Sequence, residues 1–218
     1  MAQGLRPIVV GFGPAGIFAA YLLAKHGYKP LIVERGEAVE ERRVRIETFW
    51  TGGPLNPESN VQFGEGGAGT FSDGKLTSRS KDPWATLVKQ VFIDHGAPED
   101  IQYSHESHIG TDLLRDIIVS IRKQILAWGG EVYFSTKMDR LLMDSSGQVT
   151  GIRSSRGEFH GPVFLGIGHS ARDSFRTLYQ QGIYAEAKAF AVGFRIEHPQ
   201  DLINTLRFGQ YKNHPRLG

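Results

Sequence analysis

The sequence contains no cysteine. That excludes a disulfide scaffold, a thiolate zinc site and any dithiol redox relay. It has little excess charge, +2 at neutral pH, and no basic run exceeds two residues, as at Arg42-Arg43. Neither feature argues for nucleic acid or for an anionic membrane. Long hydrophobic runs are missing too: no stretch approaches the ~18 apolar residues a spanning helix needs. The apolar segment 7–24 is broken by Pro7, Gly11, Gly13, Pro14 and Gly16, and no cleavage-site pattern follows it. There is therefore no signal-peptide pattern, and the expected location is the cytoplasm. Internal repeats and low-complexity tracts are absent as well.

Glycine, in contrast, is abundant, with 27 residues, twelve of them clustered at 11–16, 64–74, 129–130 and 166–168. Clustered glycine marks backbone held close to a ligand or in left-handed conformations. The 218 residues suffice for one domain of ordinary to large size, or one and a half smaller ones.

The chain opens on a β-α-β pattern. Residues 7–11 read as a buried strand, 14–26 as a helix stopped by Gly27, and 30–34 as a second buried strand. Such a unit requires a right-handed crossover and a parallel sheet. A charged helix is expected from Glu37 to Phe49. Residues 51–82 show little periodicity, and a loop of that length in a compact domain is usually functional or disordered; its glycine-dense centre favours function. Asp82-Pro83 reads as an N-cap with proline at the first helical position, and a helix is expected from there to Gly96. A further helix spans Asp112 to Trp128, capped by Thr111. Strands follow at 132–135, 141–143, 149–153, 163–167 and 190–196, with Asp144-Ser145-Ser146-Gly147 as a hairpin turn.

Three motifs carry chemistry. The first is Gly11-x-Gly13-x-x-Gly16, with Pro14 and Ala15 between. The first glycine permits a tight turn, the second lets backbone approach a pyrophosphate, and the third lets helix and strand pack closely. Glu34 ends the second strand eighteen positions after Gly16, where a carboxylate bonds a ribose 2′-hydroxyl. That carboxylate repels a 2′-phosphate, which disfavours NADP and leaves FAD and NAD. Arg35 is placed to stack on adenine or to face solvent. The second motif is the loop 63–70, where Gly67, Ala68, Gly69 and Thr70 can wrap amides around a phosphate or a flavin edge. Lys75 and Arg79 are placed to neutralise phosphate charge or an acidic substrate. The third is the strand end at 165–172, where Gly166, Gly168, Ser170 and Arg172 follow a buried strand, as in flavoproteins whose strand crosses near FAD. An inserted antiparallel layer like the hairpin at 138–153 recurs in FAD folds, and similarity to that arrangement implies that the backbone of Lys137 and Met138 faces the adenine.

Two other constellations are weaker. His105 and His108 lack a third ligand and a clear helix, so no metal site is expected. Ser170, His169 and Asp173 are too close in sequence to meet as a triad, and no nucleophile elbow surrounds Ser170. No catalytic acid or base is assigned; His169 and Lys75 are candidates by position alone.

The runs 11–16, 34–36, 55–76, 166–173 and 191–200 together resemble a bacterial family of FAD-dependent dehydrogenases. The resemblance covers nearly the whole chain. It implies a Rossmann-like FAD-binding domain of the glutathione-reductase type, distantly similar to geranylgeranyl-reductase-like flavoproteins. Its parallel sheet would carry an inserted antiparallel hairpin layer, with part of a second, substrate or cap, domain attached. The absence of cysteine closes the disulfide-reductase branch of such enzymes. The implied organisation is a nucleotide unit over 1–82, a partial cap over 83–111, a return to the nucleotide domain over 112–175 and an incomplete substrate domain over 176–218. Family members are longer, so the resemblance implies a truncated form. The implied cofactor is FAD, with NAD(P)H as a candidate electron donor and a small-molecule substrate. The alternatives are an inactive nucleotide-binding remnant and an NAD-dependent dehydrogenase with a single dinucleotide fold.

Overall fold

The computed structural model describes residues 5–71, 82–103 and 109–215. The chain divides into two units, residues 1–183 and 184–218.

The first unit is an α/β domain built on a parallel sheet. Strands β1 (Ile8–Val10), β2 (Leu31–Val33), β3 (Glu131–Tyr133) and β7 (Val163–Leu165) form it in the order β3-β2-β1-β7. All three pairings are parallel. Helix α1 (Pro14–Lys25) makes the crossover from β1 to β2. β1 and β2 are buried along their whole length, which is why they read as continuous apolar runs rather than alternating ones. Helix α4 (Thr111–Ala127) packs on α1, with Leu114, Ile117, Ile118, Ile121 and Ile125 on its buried face. Helix α3 (Pro83–Asp94) adds Val91 and Phe92 to the same core. Phe18 meets Phe92 edge-on, with ring centroids 5.4 Å apart.

A second, antiparallel sheet of three strands runs β4 (Met138–Met143), β5 (Val149–Ser154), β6 (Gly157–His160). Helix α5 (Arg172–Gln180) packs against β4, and Gln181 clamps Leu141 through hydrogen bonds in both directions, at 3.0 and 2.8 Å. Helix α2 (Val39–Trp50) completes this unit.

Several elements depart from the sequence reading. The hairpin has a third strand, β6, whose Glu158 and His160 hid it as a loop. The cap of α4 is Gly110, and Thr111 is its first helical residue. β7 ends at Leu165, before the glycines. The segment 190–196 is not a strand. Phe190, Val192, Phe194 and Ile196 alternate as a strand would, yet are 83%, 78%, 94% and 73% exposed. No described strand pairs with them, and an apolar face without a partner sheet does not hold a ladder. Among its described residues, the second unit contributes one α-helix, α6 (Gln200–Phe208), followed by a 3-10 turn at Gly209–Tyr211. The Asp82 cap is as expected: its carboxylate accepts from Trp84 N at 2.9 Å, with Pro83 at the first helical position.

Candidate functional site

A cavity of about 580 Å³ opens at the carboxyl ends of β1, β2 and β7. The chain leaves β1 toward β2 on one side and reaches β7 on the other, so the cavity sits where the strand order reverses. In open parallel sheets this is where ligands bind, because the loops diverge there and leave a crevice.

The start of α1 faces this crevice. Its N-cap, Gly13, has no side chain to offer, no acidic residue lies in the first turn, and Pro14 carries no N–H. The first-turn amides of Ala15 and Gly16 have no intrahelical acceptor. Together with the helix dipole they make a site for an anion. The glycines are required by close approach. Gly11 has φ +92°, and a Cβ there would sit against the Gly166 carbonyl. A Cβ on Gly16 would strike the Gly11 carbonyl. Gly67, at φ +66°, brings the second glycine loop against Gly13 and Pro14, with 3.0 Å between a Cβ built there and Gly13 Cα.

Glu34 holds these parts together. It is 4% exposed. One carboxylate oxygen accepts from Phe12 N at 2.6 Å, and the other from Gly36 N at 2.8 Å and Gly64 N at 3.0 Å. A carboxylate has about four acceptor positions, so one remains, in a residue that lines the cavity.

Behind the cavity, Arg42 reaches from α2 into the 60–65 loop and is fully buried. Its Nε donates to Asn60 O at 2.8 Å, and its Nη1 to Glu65 O at 2.6 Å and Gly64 O at 3.4 Å. Burial lowers its pKa to about 10, against the raising influence of Glu34 and Glu65. Glu65, also fully buried, accepts from Val39 N and from Arg122 Nη1 through Oε2, both at 2.9 Å. The loop is thus ordered by buried charge rather than by repetitive structure.

At the outer rim, Arg35 lies over the Phe63 ring, 4.1 Å from its centroid. Asp173, at the start of α5, accepts from both terminal nitrogens of Arg35 at 3.1 and 3.0 Å and pairs with Lys137 at 2.5 Å. Glu58 takes the Arg35 Nε at 2.9 Å. Burial pushes the Asp173 carboxyl up, but the hydrogen bonds from Arg35 and Lys137 outweigh it and hold it well below the usual carboxylate range. A depressed carboxylate adds stability above its unfolded pKa of ~3.9, and that stability is lost as pH falls toward the folded value. Because the Asp173 side chain is 44% exposed, solvent screening keeps its effect small. We expect Asp173→Asn to cost about 1 kcal/mol at pH 7. The difference from wild type should close as urea unfolding is repeated from pH 5 down to pH 2. A difference that persists undiminished at pH 2 would show that the loss is not electrostatic.

The cavity gathers most residues expected from sequence. Gly11, Gly13, Pro14, Ala15, Glu34, Arg35, Gly67, Ala68, Gly69, Lys137, Met138, Gly166, Gly168 and Ser170 line it. Three do not. Gly16 packs beneath the turn against Gly11, Thr70 is buried behind the loop, and Arg172 is the first residue of α5. Lys75, Arg79, His105 and His108 lie outside the described residues. His169 lies on the cavity wall, its Nε2 3.1 Å from Ser170 Oγ, which donates to Gln62 Oε1 at 3.1 Å. Asp173 joins the Arg35 network instead of a triad. Among the described residues, no group of His, Cys, Asp and Glu is placed to hold a metal ion, and no helix is long and apolar enough to cross a membrane. Sequence reasoning missed Arg42 and Glu65. A signal for the first existed: Val39, Arg42 and Ile46 form the buried face of α2, so Arg42 occupies a position that otherwise takes an apolar residue.

Residues 189–218 match the family described as "FAD-dependent protein, C-terminal domain-like". An uncharacterized protein of Clostridium beijerinckii is 50% identical over 212 residues, covering 97% of this chain. The chain spans 40% of the length of that relative. Among solved structures, THI4 of Thermovibrio ammonificans aligns with TM-score 0.49 at 17% identity, over 81% of this chain and 62% of that one. The L-amino acid deaminase of Proteus myxofaciens, in complex with anthranilate, aligns with TM-score 0.47 at 11% identity, over 80% and 48%. The glycine oxidase of Bacillus cereus aligns with TM-score 0.43 at 13% identity, over 81% and 59%.

Proposed function

We propose that the chain binds FAD in this cavity and forms the cofactor-binding part of an oxidoreductase. The observation that carries the reading is the uncapped start of α1, open to the crevice between β1 and β7 and approached by two glycine loops. FAD is favoured over NAD by the match of residues 189–218 to a family described as FAD-dependent. The residues fit such a group: the cradle admits no Cβ at Gly11 or Gly16, and the donors at its centre are backbone amides suited to a pyrophosphate.

When bound, FAD supplies hydride or electron transfer. The amide of Ala15, on the cavity wall at the start of α1, would hold the pyrophosphate with the help of the helix dipole. The remaining acceptor position of Glu34 takes a ribose hydroxyl. Arg35, held flat on Phe63 by Asp173 and Glu58, offers a planar face to the adenosine end. Gly67 to Gly69 and Gly166 to Ser170 line the rest of the cavity. NAD(P)H is a candidate electron donor, and the substrate is a small molecule.

Thermal-shift titration tests this. A ligand at a hundredfold excess over its Kd adds about 2.7 kcal/mol, which for a chain of this size raises Tm by about 5–11 °C. FAD should give that shift and NAD should not. A shift with NAD alone would assign the cavity to a nicotinamide enzyme, and no shift with either would remove the nucleotide reading.

A further inference from the structure

Behind the cavity-lining loop lies a group of buried polar atoms that cofactor binding does not use. Among the described residues, Arg42 Nη2, Glu65 Oε1 and Thr70 Oγ1 are buried without a hydrogen-bond partner. All belong to the 64–70 loop or to the arginine that grips it. Glu65 is the centre of this group. Its Oε2 is satisfied twice, by Val39 N and Arg122 Nη1, while its Oε1 faces no donor. The same residue's amide donates to Glu37 O, and the next amide, Gly66, donates to Phe12 O at 2.8 Å. Glu65 therefore ties the loop to α2 and α4, and its neighbour Gly66 ties it to the turn after β1.

A fully buried carboxylate with one unpartnered oxygen resists ionisation even beside Arg122, because taking its charge out of water is costly. Four charged groups among the described residues act on it. Arg122 on α4 contacts it, and Arg42 on α2 lies across the loop backbone. Glu40 on α2 and Glu34 at the end of β2 oppose its charge. Arg122 is shared with Glu40, which it meets at 2.5 Å, so its charge is divided between two carboxylates.

We propose that Glu65 is a proton-linked positioning residue: the 64–70 loop is held closed against α2 and α4 most firmly while Glu65 carries a proton, and opens toward solvent more readily as it ionises. This rests on the FAD reading above only for its consequence, that cofactor binding is coupled to pH. Burial pushes the carboxyl up to about 7, against the Val39 hydrogen bond and Arg122, so the transition falls near neutrality. The sign follows from linkage. The closed loop holds the proton more tightly than the open one, whose solvated carboxyl titrates near 4.5. Opening is therefore favoured as pH rises, by up to about tenfold per pH unit, until Glu65 is ionised in the closed state too.

Amide hydrogen exchange on the whole chain without cofactor tests this. After correction for intrinsic rates, the amides of Glu65 to Thr70 should lose roughly 10- to 100-fold protection between pH 5.5 and 7.5. In Glu65→Gln, which keeps an acceptor but cannot ionise, protection should be flat over that range. The same slope in both proteins, or a flat profile in wild type, overturns the proposal. A second measurement needs no variant: 13C NMR of labelled glutamate carboxyls in the wild type should show one titrating near neutrality. Its absence also overturns the proposal. FAD thermal shifts at pH 6 and pH 8 separate the two readings. PH-linked exchange without any FAD shift leaves the latch standing and removes the cofactor assignment; an FAD shift with pH-independent exchange does the reverse.

Discussion

Gly11→Ala is expected to destabilise the fold by about 2–5 kcal/mol and to abolish cofactor binding. Two costs combine. At φ +92° an L side chain is strained, by about 1–2 kcal/mol. The new methyl would also meet the Gly166 carbonyl, and such overpacking costs about 1–3 kcal/mol. The obstructing atom is backbone, part of the exit from β7, so it yields only by moving the wall of the cavity. Gly27→Ala is the internal control. Gly27 has φ +81° but nothing within 4 Å of a Cβ, so only the strain applies, about 1 kcal/mol. Urea unfolding of both variants checks the contrast. Equal losses would mean that the approach of β1 to β7 is not the constraint.

Arg42→Ala is expected to cost about 3–5 kcal/mol, the range for removing one partner of a buried charge system. The carbonyls of Asn60, Gly64 and Glu65 lose their donors, and the Glu34 carboxylate loses a compensating charge. Arg42→Lys should recover only part of this. The guanidinium serves the loop from two nitrogens in a fixed fork, which an ammonium cannot reproduce. A Gly64 side chain would collide with the Arg42 stem, 2.5 Å from Cδ, so loop and arginine are fitted to each other. A loss below about 0.5 kcal/mol for Arg42→Ala, the size of an ordinary surface change, would mean that the loop is held by something else.

The parts of this architecture that sequence makes legible are local. β1, α1 and β2 announce themselves through apolar period, a glycine turn and a stop at Gly27, because each signal lies within the element it specifies. The β4–β5 hairpin is visible through its Asp144–Gly147 turn. The cleft follows from the parallel sheet, since crossover geometry puts the glycine turns at one end of the strands. Long-range features are hidden. The order of residues 56–66 depends on Arg42, Glu34 and Glu65, which lie at or beyond both ends of the loop, and no periodicity encodes it. The alternation of 190–196 shows the converse: a correct local pattern forms no strand without a partner to pair with. The pairing of Arg35 with Asp173, 138 residues apart, is likewise invisible until the fold brings β2 and α5 together.

The most direct test of the account is equilibrium titration of the purified chain with FAD, followed by flavin fluorescence, beside the Gly11→Ala variant. The account predicts saturable binding at one site per chain in the wild type and none in the variant. Wild-type protein that leaves FAD fluorescence unchanged at every concentration, or a variant that binds as wild type does, would contradict it.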